Sequence, residues 1–300
     1  MSDVVRSGFS GGAGPSEAPA PPGLVSLETS FRGVGGVEID PAISRLNRMR
    51  SSVRTSARLI EAEVKELPIL YKSYMVTLTY RPGVEWEPYH ISDCLLFYRK
   101  WASNNNFFLR YVWVAEIQGN RYSNGALLGE CVHYHLLLWV PSHLDCPKPD
   151  KAGFWVHGMT QRVVARKPVA YLTKYATKGK DVFFPKGLRT HGAGGLSATA
   201  RSERTWWGLP RWVRVLFDQS DIPRRNVGGG FVSRASGFVI QSIWSVVNDG
   251  GCVFCWLRDD LHKILSSWQL SKLVLAGVIP DKWDLAFQDA LDAPGSFDCF

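Results

Sequence analysis

Two short segments carry the side chains best suited to chemistry. In the apolar run Cys131–Trp139 (CVHYHLLLW) two histidines, His133 and His135, stand at i and i+2. Side chains along a strand alternate faces, so both imidazoles point the same way and can hold a metal ion. In Tyr171–Lys178 (YLTKYATK) two tyrosines and two lysines recur at helical spacing. On a helix Tyr171 and Tyr175 lie about 40° apart in projection, with Lys174 and Lys178 on the same side. Val169, Leu172, Thr173 and Ala176 occupy the opposite side and suit packing on a sheet. A phenol is a poor nucleophile at its ordinary pKa of about 10. Neighbouring ammonium groups favour the phenolate and neutralise a phosphate, so this helix has the parts for attack on a phosphodiester. Taken singly, each motif has a plain structural reading: core histidines with polar partners, and an amphipathic helix with half-buried rings and solvated lysines.

A third ligand would complete the metal set. Glu116 and Gln118 share a face of the preceding strand, and an antiparallel hairpin has one register that sets Glu116 beside the histidines. Gln118 and Glu130 are the competing donors. Two imidazoles and a carboxylate leave positions open for water and a phosphate oxygen, and mixed N and O donors suit Mn²⁺ or Mg²⁺.

The elements that must position these groups follow from local signals. Asp40 before Pro41 reads as an N-cap followed by a first-turn proline, opening a helix to about Glu66 that carries Arg45, Arg48, Arg50, Arg54, Arg58 and Lys65. Lys72–Tyr80 (KSYMVTLTY) reads as a strand ending at a turn over Arg81–Gly83. Ser92 is expected to cap a helix reaching about Asn104. Phe107–Gln118 and Glu130–Val140 read as strands joined through the polar Gly119–Gly129 connection, which favours antiparallel pairing. A loop over Pro141–Gly153 precedes the tyrosine helix, Arg166–Lys180. His191–Gly195 (HGAGG) reads as a glycine-rich turn, and Trp206–Arg214 (WWGLPRWVR) mixes aromatics with cations. Residues 220–235 are turn-rich. A strand near Phe238–Val247 and helices near Leu257–Ala276 and Asp281–Leu291 complete the reading.

Composition bounds the function. The chain has 300 residues, 45% of them hydrophobic, with 12 Trp, 10 Tyr and 15 Phe, so a substantial core is available. A net charge of +8 favours a polyanionic partner, and nucleic acid is the commonest. The cysteines are scattered (Cys94, Cys131, Cys146, Cys252, Cys255, Cys299). Only Cys252 and Cys255 are close, and no second pair supplies a zinc site, so they read as structural and free of disulfides. No apolar leader opens the chain and no window reaches about 18 uncharged apolar residues, so an intracellular, cytoplasmic protein without a membrane partner is expected. No GxxxxGK[ST] sequence is present, which excludes a P-loop helicase domain.

Taken together, the motifs resemble the HUH superfamily of rolling-circle replication initiators, in particular the two-tyrosine Rep endonucleases of filamentous and other single-stranded DNA phages. Val76–Tyr80 (VTLTY) resembles the first motif, a strand lining the DNA site. His133–His135 resembles the metal motif, and Tyr171–Lys178 the two-tyrosine motif. Glu116 resembles the family's acidic third ligand, although the spacing to His133 is long. The segment Phe184–Arg189 (FPKGLR) through Trp206–Trp212 is also similar to filamentous-phage initiators. The resemblance spans roughly residues 72–214.

The resemblance implies an α+β fold: a central antiparallel sheet of about five strands flanked by helices. Residues 1–36, rich in Gly, Pro, Ala and Ser, would form a flexible tail. The nicking domain would cover 37–215, and 216–300 would be a helical extension. A divalent metal (Mg²⁺ or Mn²⁺) on His133, His135 and Glu116 would polarise the scissile phosphate. Tyr171 or Tyr175 would attack it, and Lys174 or Lys178 would hold it. Thr77, Thr79, Arg211 and Arg214 would contact DNA. The partners implied are single-stranded origin DNA, a host helicase and a host DNA polymerase, in a bacterial cytoplasm if the chain is phage-encoded. Two rivals share these motifs: a single-strand transposase, and a non-catalytic origin-binding regulator.

Overall fold

The computed structural model describes residues 37–123, 126–177, 184–227, 229–249 and 252–280. The expected tail over 1–36, the expected helix near Asp281–Leu291 and Lys178 lie outside them.

In chain order the elements begin with β1 (Val37–Ile39), α1 (Pro41–Lys65), β2 (Tyr71–Tyr80), α2 (His90–Asn104), β3 (Arg110–Ser123), β4 (Ala126–Pro141) and β5 (Gly158–Val164). There follow α3 (Pro168–Thr177), β6 (His191–Gly194), α4 (Ala198–Trp207) and α5 (Arg211–Leu216). Last come β7 (Arg224–Arg225), β8 (Phe231–Val232), β9 (Val239–Ile240), β10 (Trp244–Asp249), β11 (Cys252–Leu257), α6 (Leu261–Ile264) and α7 (Ser267–Leu275). The fold is α+β. Its centre is a five-stranded antiparallel sheet in the order β5-β2-β4-β3-β6.

Helix α1 starts as its sequence dictates. The Asp40 carboxylate accepts from the Ala42 and Ile43 amides at 2.7 and 3.2 Å, and Pro41 follows in the first turn. Leu46, Met49, Val53, Ala57 and Ile60 recur every three or four residues and are all buried. They meet Met75, Val112, Val114, Leu137 and Trp139 on one face of the sheet, together with Leu172 of α3. The other face buries Val76, Leu78, Trp113, Tyr134, Leu136 and Leu138 under Ile91, Cys94, Leu95 and Tyr98 of α2. Full burial of each such aliphatic side chain stabilises the fold by about 1.5–3 kcal/mol.

Several elements differ from expectation, each for a local reason. Helix α2 begins before Ser92, with Tyr89 at the N-cap, because the His90 ring accepts from the Glu87 amide at 3.2 Å and so closes the preceding turn. The hairpin between β3 and β4 is longer than the polar connection implied: pairing runs out to Ser123 and Ala126. Strand β5 is half-exposed at the sheet edge, so its sequence (GMTQRVV) lacks a clean apolar alternation. Most of the expected HGAGG turn is strand β6. Gly192 and Gly194 stand opposite Trp113 and Tyr111, and a Cβ on either would come within 2.5 Å of those rings. Their glycines reflect close packing by aromatic neighbours.

Residues 216–280 also differ from the expected helical extension, since they hold five strands besides α6 and α7. The sequence expected to be one helix from Leu257 ends β11 and then breaks. Ser266 and Gln269 form a capping box that starts α7 afresh. Trp212, Val213 and Leu216 of α5 share a third core with Phe231, Ile240, Leu261, Leu270 and Leu273. Strand β1 pairs with β11, so the three-stranded sheet β1-β11-β10 joins the two ends of the described chain. Cys94, Cys131, Cys146 and Cys255 are free thiols. No helix of the described residues is long and apolar enough to cross a membrane.

Candidate active site

Register brings the site together on the face covered by α1 and α3. In β4, His133 stands opposite Glu116 of β3 and Thr79 of β2, while His135 stands opposite Val114 and Thr77. Directly opposed residues of antiparallel strands share a face. Glu116, His133, His135, Thr77 and Thr79 therefore form one patch on the sheet. The long spacing between Glu116 and His133 is taken up by the extended hairpin.

Hydrogen bonds orient both rings. Thr77 Oγ1 lies 3.1 Å from His135 Nδ1, and Thr79 Oγ1 lies 3.3 Å from His133 Nδ1. The Glu116 carboxylate accepts from His135 Nε2 at 2.6 Å, which makes the Thr77 hydroxyl the donor to Nδ1. A hydroxyl can also accept, so the same contact holds the ring whichever nitrogen carries the proton. Thr77 and Thr79, expected to touch DNA, thus have their hydroxyls on the imidazoles. Partners of this kind fix ring orientation and tautomer in metal-binding histidines.

Among the described residues no three His, Cys, Asp or Glu side chains are already disposed to hold a metal ion. The direct bond between Glu116 and His135 occupies the position that a cation would take. The donor types nonetheless fit a divalent ion: two imidazoles with Nδ1 engaged by hydroxyls, and one carboxylate beside them.

Helix α3 lays its tyrosines against this patch. The Tyr175 ring stacks on His135 with centroids 3.6 Å apart and planes 16° from parallel. Tyr171 follows at 5.8 Å from Tyr175. Leu172 is fully buried and anchors the helix, and Thr173 donates back to the Val169 carbonyl at 2.7 Å. The tyrosines are not both turned away from the packing face. Tyr175 packs against the core beneath α3, whereas Tyr171 remains 44% exposed. Burial, the neighbouring Tyr171 and the Glu116 charge push the Tyr175 phenol above the ordinary tyrosine value. The expected lowering by lysine does not prevail there. Lys174 is exposed on the same helix.

Arg211 and Arg214 sit elsewhere. Arg211 donates to the Ala276 carbonyl at 2.6 Å, and Arg214 donates to the Leu209 carbonyl while lying 4.9 Å from the Trp207 ring. Both serve the third core rather than the histidine face.

Sequence reasoning missed two strands of this face. Met159 and Gln161 of β5 stand opposite Thr79 and Thr77, and His191 of β6 stands opposite Val114. Half-exposed and glycine-rich strands carry little periodic signal. Two surface clefts, one along Phe107–Leu109 and Gly194–Gly195 and one along Tyr80–Pro88, include none of the histidines or tyrosines. The candidate site is a shelf on the sheet, a shape suited to a polymer rather than to an enclosed small molecule.

Comparison with known proteins bears on the central segment. No curated protein and no solved structure matches the chain. Residues 73–180 match the model of one family, the replication-associated proteins of the ORF2 type. The match runs through β2, both strands of the hairpin, β5 and α3, and so takes in the histidines, Glu116 and both tyrosines. Over this segment the chain is similar to the replication-associated proteins of that family, which links it to DNA replication.

Proposed function

We propose that the protein is a replication initiator that nicks and rejoins single-stranded origin DNA through a tyrosine–phosphate ester. The observation that carries this reading is the stacking of Tyr175 on His135 at 3.6 Å, with Glu116 bonded to the same ring and Tyr171 alongside. A nucleophile and a ligand set for phosphate activation then share one spot.

The phenol oxygen attacks the scissile phosphorus and gives up its proton to solvent. An O–P bond to tyrosine forms as the bond to the 3′-oxygen breaks, and that oxygen takes up a proton. The products are a 5′-phosphotyrosine and a free 3′-hydroxyl, the end that a DNA polymerase extends. In rejoining, a 3′-hydroxyl attacks the phosphotyrosine and releases the phenol. No nucleotide is consumed, because the ester retains the bond energy.

Tyr171, the exposed phenol, makes the first cut. Tyr175, held lower on the shelf, makes the second. Lys174 draws the phosphate toward α3 and offsets charge that develops during attack. Thr77 and Thr79 keep the imidazoles fixed. A divalent ion held by His133, His135 and Glu116 would supply Lewis-acid polarisation of the phosphate. Strand separation falls to a separate helicase.

The test is an SDS-resistant adduct between the protein and labelled single-stranded origin DNA in the presence of Mn²⁺. Wild type should form it, while His133→Ala and Tyr171→Phe/Tyr175→Phe should not. Retained specific DNA binding with no adduct from wild type would leave only a non-catalytic regulator.

A further inference from the structure

Toward β6 the histidine shelf continues into a group of cations that the proposed chemistry does not use. His191 stands opposite Val114, and Val114 stands opposite His135. The two imidazoles therefore share a face, two strand spacings or about 10 Å apart. Three guanidinium groups act on His191: Arg204 from α4, Arg189 from the turn before β6 and Arg45 from α1. Burial first, and then these charges, hold the imidazole below the usual histidine range.

The arginines are positioned by the fold. Arg45 donates to the Leu188 carbonyl at 3.0 Å and lies 5.8 Å from the Phe184 ring. Arg189 lies 5.7 Å from the Trp113 ring. Helix α4, which carries Arg204, packs beside α1. None of the three forms an ion pair with a carboxylate among the described residues. Cations gathered without a counter-charge repel one another, and an anion among them relieves that repulsion. Guanidinium forks match phosphate oxygens in geometry and charge.

We propose that Arg45, Arg189, Arg204 and His191 form a phosphate subsite that grips the sugar–phosphate backbone of single-stranded DNA beside the cut. The identity of the polymer rests on the proposed function; the anion site rests on the cations alone. Contacts of this kind fix the register of a strand without reading its bases. The strand would cross the shelf from β6 toward the tyrosine helix, with one phosphate gripped here and the next reaching the phenols.

Anisotropy of a labelled single-stranded oligonucleotide, measured over a range of salt with the full chain, tests this. Each phosphate contact contributes about 0.7 to the slope of log affinity against log salt. The triple variant Arg45→Gln/Arg189→Gln/Arg204→Gln should lose about 2 from that slope. The corresponding triple Arg→Lys variant should keep most of it. An unchanged slope in a glutamine variant that melts like wild type overturns the subsite. If the triple variant does not fold, Arg204→Gln alone should lower the slope by about 0.7, and no change there overturns it equally. The adduct assay run alongside separates the two readings. An adduct with an unchanged slope sinks the subsite and spares the nicking reaction. A lowered slope with no wild-type adduct does the reverse.

Discussion

Each face of the central sheet carries a pair of histidines, and the two pairs are set in opposite ways. On the α2 side His90 and His157 stack at 3.6 Å inside a wall formed by Tyr80 and Trp155. His90 Nδ1 is bonded to the Tyr80 hydroxyl at 3.1 Å, and burial holds both rings below the usual histidine pKa. On the α3 side His133 and His135 face hydroxyls through Nδ1, and one of them meets a carboxylate through Nε2. The first pair is a packing device that excludes charge. The second is oriented by polar partners that welcome a cation. Surroundings, rather than residue type, decide which histidines can do chemistry.

The largest effect should separate the pairs by activity. His133→Ala or His135→Ala is expected to lower adduct formation on the order of a thousandfold, equivalent to about 4 kcal/mol of barrier. His90→Gln should leave it within about threefold, since its ring lies on the other face. Stability should show the converse. Trp155, fully buried and donating to the Thr79 carbonyl at 3.2 Å, should cost about 3–5 kcal/mol in urea denaturation when changed to alanine. Thr77→Val keeps the volume but removes the hydroxyl from His135. It should reduce adduct formation about 10–100-fold while shifting the urea midpoint little.

Gly192→Ala drives a methyl into the Trp113 ring and should cost about 1–3 kcal/mol. The smallest effect concerns pH. His90, His157 and His191 all have folded pKa values below the usual 6.5. Below pH 6.5 the unfolded chain then binds more protons than the folded one. Their contribution to stability is complete above pH 6.5 and is lost as pH falls through the folded values. The melting temperature should drop from pH 7 to 5, and His157→Gln should flatten that drop.

Much of this contrast was legible in the sequence, but unevenly. The i, i+2 histidines sit in a strand so apolar that its period was plain, and Asp40–Pro41 marked α1 to the residue. Register was harder, because the polar residues after Gln118 looked like a turn although they continue the hairpin. The edge strands left no trace. Strand β5 is wetted along much of its length, and β6 trades side chains for the rings of Trp113 and Tyr111. The cations around His191 come from three separate elements and meet only in the folded chain. Cys252–Leu257 (CVFCWL) does carry a strand signature, and Ser266 with Gln269 a helix start. A closer reading of those two signals would have divided the expected Leu257–Ala276 helix.

The pairing of Val37 with Cys255 ties together positions more than two hundred residues apart. During synthesis, β1 leaves the ribosome early and waits for a mate that is among the last segments made. The five-stranded sheet can assemble meanwhile from hairpins that are local in sequence, so the small terminal sheet should be the slow step in maturation. Until it closes, β1 presents unsatisfied amides to any passing strand, which makes this ribbon the place where crowded expression would first produce aggregates.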